Sequence, residues 1–95
     1  GGSPGKLTDQ PVMDPASTEG LEHATGELKS QTGNLGLDFD GLSELMADLK
    51  TIDAQLGSSR PKTAIIRECL RSIKEVLEGG GNNDGLVKIR ALLGE

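Results

Sequence analysis

Between Arg60 and Glu78 the apolar residues Ile66, Cys69/Leu70, Ile73 and Val76/Leu77 recur in steps of three and four. That period draws one continuous stripe along an α-helix, whereas a strand would send neighbouring members to opposite faces. Pro61 suits the first turn, where its missing N–H would have no partner anyway. Gly79-Gly80-Gly81 closes the segment, because glycine takes the left-handed C′ conformation without a Cβ clash. A helix over 61–78 follows, and the rest of the chain is arranged about it.

The preceding segment, residues 35–56, carries a second stripe. Leu42, Leu45/Met46, Leu49, Ile52 and Leu56 are spaced as an a/d seam. Asp38 stands where an N-cap belongs, Leu37 and Leu42 are placed as a hydrophobic staple, and Asp40 adds negative charge at the positive end of the helix dipole. Gly57 is a natural stop, so the helix is expected over 39–56, with Gly41 weakening its first turn.

Only Gly57 to Arg60 separates the two stripes, a connection short enough to fold the helices into an antiparallel hairpin. Their charges suit one another. Asp38, Asp40, Glu44, Asp48 and Asp53 outnumber Lys50 on the first, while Arg60, Lys62, Arg67, Arg71 and Lys74 outnumber Glu68, Glu75 and Glu78 on the second. After the glycine break, Leu86, Val87, Ile89, Ala91, Leu92 and Leu93, opened by Asn83 or Asp84, predict a short helix over 84–93. Alone it is marginal in water, so its Leu86/Ile89/Leu93 face must dock on the hairpin or on another protein.

Residues 1–34 hold three of the four prolines and few apolar side chains, which predicts a disordered linker or tail. Leu21, Ala24 and Leu28 fall at helical spacing there, but Gly20 and Gly26 interrupt them. Gly1-Gly2-Ser3 resembles a cloning remnant and suggests an excised fragment of a longer protein. The expected organisation is all-α: a disordered arm over 1–34 and a small helical interaction domain over 35–95. Its seams are completed either in a dimeric four-helix bundle or by the last helix in a three-helix monomer.

Composition narrows the functional classes. Phe39 is the only aromatic residue, so a core must be aliphatic and base-stacking surfaces are lacking. A net charge of −5 argues against nucleic acid and anionic membranes as partners, and favours a basic protein. No apolar run reaches membrane-spanning length. The single cysteine, Cys69, reads as a small core residue in a reducing, cytoplasmic setting. His23 has acidic neighbours but no second histidine, and reads as a solvated side chain in place of a metal ligand. Gly79 to Asn83 lacks the lysine and Ser/Thr of a phosphate loop. Asp38-Phe39-Asp40 resembles the opening of a calcium loop, yet the later ligands do not follow. No cofactor or metal is expected, nor a catalytic set.

The run from Leu56 through Gly57-Ser58-Ser59-Arg60-Pro61-Lys62 to Gly79 resembles the closing helical segment of a group of bacterial helical proteins, a resemblance that implies no activity. By layout alone, the order of linker, hairpin, glycine break and terminal helix is similar to C-terminal docking domains of modular synthases. The expected function is a non-enzymatic interaction, oligomerisation or docking module of a larger protein. It would act through Leu42, Leu45, Leu49, Ile52, Ile66, Leu70, Ile73, Leu77, Leu86, Ile89 and Leu93, toward a second copy or another helical protein. The alternative is a small acidic regulator or adaptor, antitoxin-like, whose N-terminal arm folds on a basic partner.

Overall fold

The computed structural model describes residues 6–81 and 83–95, with Asn83 described by its backbone alone. Four α-helices account for most of it: α1 Pro15–Ser30, α2 Phe39–Leu56, α3 Thr63–Glu78 and α4 Asn83–Leu93, with a 3-10 turn, Thr32–Asn34, between the first two. The all-α expectation holds, and the hairpin of α2 and α3 and the terminal helix fall where their stripes place them. The remnant suggested for Gly1-Gly2-Ser3 and the disorder of residues 1–5 lie outside the described residues, while α4 already includes Asn83, so neither Asn83 nor Asp84 is its cap as expected.

The expected disorder of the N-terminal third does not hold for residues 6–34. Asp14 caps α1, its carboxylate accepting the Ser17 N–H at 2.7 Å, and Pro15 follows at the first helical position. That pairing offsets the helix-weakening Gly20 and Gly26. Leu21, Ala24 and Leu28 are buried, as are Leu7 and Met13 upstream. Five of the seventeen buried apolar residues thus precede residue 35, and the boundary drawn there runs through the core. The radius of gyration, 12.5 Å, is that of a single compact body of this length, about 12.4 Å by the usual scaling.

Residues 6–13 form a strap rather than a tail. The Leu7 N–H donates to the Leu92 carbonyl at 2.8 Å, the Met13 N–H to Pro61 at 2.9 Å, and the Thr63 N–H to Pro11 at 3.0 Å. The strap therefore meets both the end of α4 and the start of α3. Pro61 is not in the first turn of α3 as expected. It precedes Lys62, the N-cap, which makes no side-chain capping bond. The orphan N–H of Thr63 is instead satisfied by the strap.

Gly79 also departs from expectation, ending α3 in a right-handed conformation with φ −82° and ψ −9°. The glycine break matters one residue later. A Cβ on Gly80 would stand 2.5 Å from the Leu35 carbonyl oxygen, and Gly36, opposite, has φ +69°. Two backbones cross there at a distance that only glycine permits. The Gly81 N–H donates to the Leu35 carbonyl at 3.3 Å and closes the crossing.

Candidate interaction surface

The side chains expected to meet a partner turn inward. Leu45, Leu49, Ile52, Ile66, Leu70, Ile73, Leu77, Leu86 and Ile89 are all buried in the chain's own core, while Leu42 and Leu93 are half-buried. On α4 the inward face is Leu86, Ile89 and Leu92, one residue earlier than the expected Leu93. The seams are not left open, because α1 and α4 supply the helix faces that the hairpin lacks. This removes the reason for expecting a dimer through them.

Nor does the predicted charge match form. Among the described residues no ion pair joins α2 to α3. Asp53 of α2 pairs with Lys29 of α1 at 2.7 Å. Lys74 and Glu78 of α3 pair with Glu95 and Arg90, and Lys88 of α4 pairs with Glu27 of α1. The charges on α2 and its cap that remain outside these pairs are Asp38, Asp40, Glu44, Asp48 and Lys50.

With the core accounted for, α2 is the helix that leaves two large apolar side chains exposed among the described residues. Phe39 is 83% exposed at the first turn of α2, and Met46, seven residues on, is 39% exposed. Ser43, Ala47, Lys50 and Ala54 are exposed as well. At 3.6 residues per turn these six share the face of α2 opposite Leu45, Leu49 and Ile52. Half-buried Leu42 joins that face to the core side. The Asp38 carboxylate accepts the Gly41 N–H at 2.7 Å, so the turn that presents Phe39 is capped and fixed. Gly41 does not break the first turn: a Cβ there would come to 3.1 Å from Asp38 Oδ1, so glycine leaves room for the capping carboxylate.

This outer stripe was legible in the sequence as Phe39, Ser43, Met46 and Lys50, spaced four, three and four. It was hidden because Met46 neighbours Leu45 and both satisfy the inner seam. Val87 and Ile65 are also exposed, but each is a single apolar side chain of the kind common on protein surfaces.

Four other features were candidates for chemistry. An open cleft of about 370 Å³ between α1 and α2 is lined in part by Glu22 and Leu56, but its Lys29 and Asp53 neutralise each other. Cys69 is buried, as expected, and burial first, then the Asp48 and Glu68 carboxylates, push its thiol above the ordinary value. It is accordingly disfavoured as a nucleophile. Asp48 Oδ2 is buried without a hydrogen-bond partner among the described residues. His23 is exposed on α1, 3.7 Å from Glu27, in an ordered helix instead of a loose arm. Among the described residues no three His, Cys, Asp or Glu side chains gather as metal ligands, and no helix is long and apolar enough to cross a membrane.

No protein-family model, curated protein or solved structure matches this chain.

Proposed function

We propose that the chain is a non-enzymatic protein–protein interaction module and that it engages its partner through the outer face of α2. The observation that carries this reading is the exposure of Phe39, the only aromatic side chain, on the same helix face as Met46. Fully burying an exposed aromatic side chain contributes about 1.5–3 kcal/mol, and at Phe39 the fold leaves most of this gain unused. Aromatic residues and methionine are also the side chains that interface centres favour over surfaces. The capped first turn presents Phe39 on a rigid element, so little ordering cost accompanies binding.

The alternative, an acidic arm that folds on a basic partner, has less support. It requires residues 6–34 to be free, whereas Leu7, Met13, Leu21 and Leu28 are packed in the core.

A photo-reactive benzophenone side chain placed at position 39 tests the proposal in the host cell, with the same group at exposed Glu75 of α3 as control. The expected result is a discrete protein adduct from position 39 and none from position 75. Equal adducts from both positions, or none from position 39, would overturn it.

A further inference from the structure

We infer that the partner of the α2 face is a second copy of this chain, docked antiparallel about a two-fold axis between Met46 and Ala47. This inference rests on the interaction reading above. Its basis is the order of side chains along the exposed stripe: Phe39, Ser43, Met46, Ala47, Lys50, Ala54.

An antiparallel copy centred between residues 46 and 47 sets Phe39 opposite Ala54, Ser43 opposite Lys50, and Met46 opposite Ala47. Every pair joins a large side chain to a small one, and the two-fold repeats each pair. The stripe is thus complementary to itself as an isologous interface requires. Large against small is also the arrangement by which helix faces interdigitate at close range.

The charges agree with that register. Lys50 lies across from Ser43 of the copy, whose neighbour on the helix surface is Asp40, with Glu44 one turn on from Asp40 at the flank. None of these three charges has an ion pair among the described residues, and Asp40 and Glu44 repel each other four residues apart on one helix. Docking brings each lysine to that uncompensated carboxylate pair. A parallel arrangement would instead stack Phe39 on Phe39 and Lys50 on Lys50, placing large side chains and like charges together.

The stripe spans sixteen residues, about 22 Å of helix from first to last, so the contact belongs to the small end of specific interfaces. The expected dimer is weak, and its population rises between micromolar and millimolar chain. Sedimentation equilibrium on the full chain reads this directly. Ala47→Glu, which sets two carboxylates beside the axis, is expected to weaken association about tenfold or more. Lys50→Glu weakens it as well, and adding Asp40→Lys with Glu44→Lys to that variant restores it. All four positions are exposed, so circular dichroism and melting of the variants should match the parent.

Cysteine cross-linking fixes the register. In a Cys69→Ala background, Ala47→Cys should form an intermolecular disulfide readily, because residue 47 and its copy flank the axis. Ala54→Cys should not, since residue 54 and its copy lie about 22 Å apart along the helices. A chain that stays monomeric at millimolar concentration overturns the inference, and so does an Ala54→Cys chain that cross-links as fast as Ala47→Cys. The adduct at position 39 separates the two failures. A monomeric chain with a different protein captured there overturns the self-partner alone, whereas a monomeric chain with no adduct overturns the interaction reading too.

Discussion

Two glycines with different surroundings give opposite expectations at the scale of single residues. Gly26 lies inside α1 with nothing within 4 Å of a built Cβ, so it carries the helix-propensity cost of glycine without a packing reason. Gly26→Ala should raise stability by about 1 kcal/mol. Gly80→Ala should lower it by about 2 kcal/mol, because the added carbon meets the Leu35 carbonyl and the chain crossing must open. Urea unfolding of the two variants checks the pair, and a destabilised Gly26→Ala would show that α1 needs flexibility there. Cys69 supplies a pH test. Its thiol is raised in the folded state, first by burial and then by Asp48 and Glu68, so the fold holds the proton more tightly than the unfolded chain. Stability from this group is fully present below the ordinary thiol value, about 9, and declines as pH rises through the raised one. The gap in stability between the parent and Cys69→Ala should therefore shift against the parent above that pH.

At the scale of elements, α1 depends on its cap. The Asp14 carboxyl is held below its ordinary value, chiefly by the Ser17 backbone N–H and then by the Ser17 hydroxyl. A depressed carboxyl contributes stability above its unfolded value and loses it as pH falls through the folded one. Acidification should loosen the first turn of α1 earlier in the parent's titration than it loosens α3, which has no carboxylate cap. Amide exchange at Ser17 and Thr18, compared with Asp14→Ala, measures this, and added salt should reduce the effect because the group is exposed. The same logic explains how α1 escaped the sequence. Gly20 and Gly26 argue against a helix when propensity alone is weighed. The Asp-Pro start and the Leu21, Ala24, Leu28 spacing argued for one, and tertiary burial of that face decided it.

For the whole molecule, the strap and α1 are part of the folded body, so truncation has a definite outcome. Removing residues 1–34 takes Leu7, Met13, Leu21, Ala24 and Leu28 from the core and leaves the Thr63 N–H without its Pro11 acceptor. The fragment 35–95 should lose cooperative melting and bind a hydrophobic dye such as ANS, although its residual helices persist. A sharp two-state transition in that fragment would show that the hairpin and α4 suffice. Phe39, Ala47, Lys50 and Ala54 on the outer face of α2 stay exposed in this packing, which is why fold and interaction can be tested apart.

The sequence by itself determined the helices whose stripes are strong. The start at Asp38 emerges from local chemistry, since a cap or a seam of Leu and Ile at helical spacing needs no distant neighbour to be recognised; the stops fall at Gly57 and Gly79 as placed, although both glycines are right-handed. It also made plain that the core would be aliphatic. Tertiary structure alone decided which of two overlapping stripes on α2 faces inward. Leu45 and Met46 both satisfy helical periodicity, and only the arrival of α3 and the rest of the core buries one and exposes the other. It decided, too, that the N-terminal third is structured. The Leu7–Leu92 and Thr63–Pro11 hydrogen bonds join residues far apart in the chain, and no local pattern encodes a partner that only folding brings near.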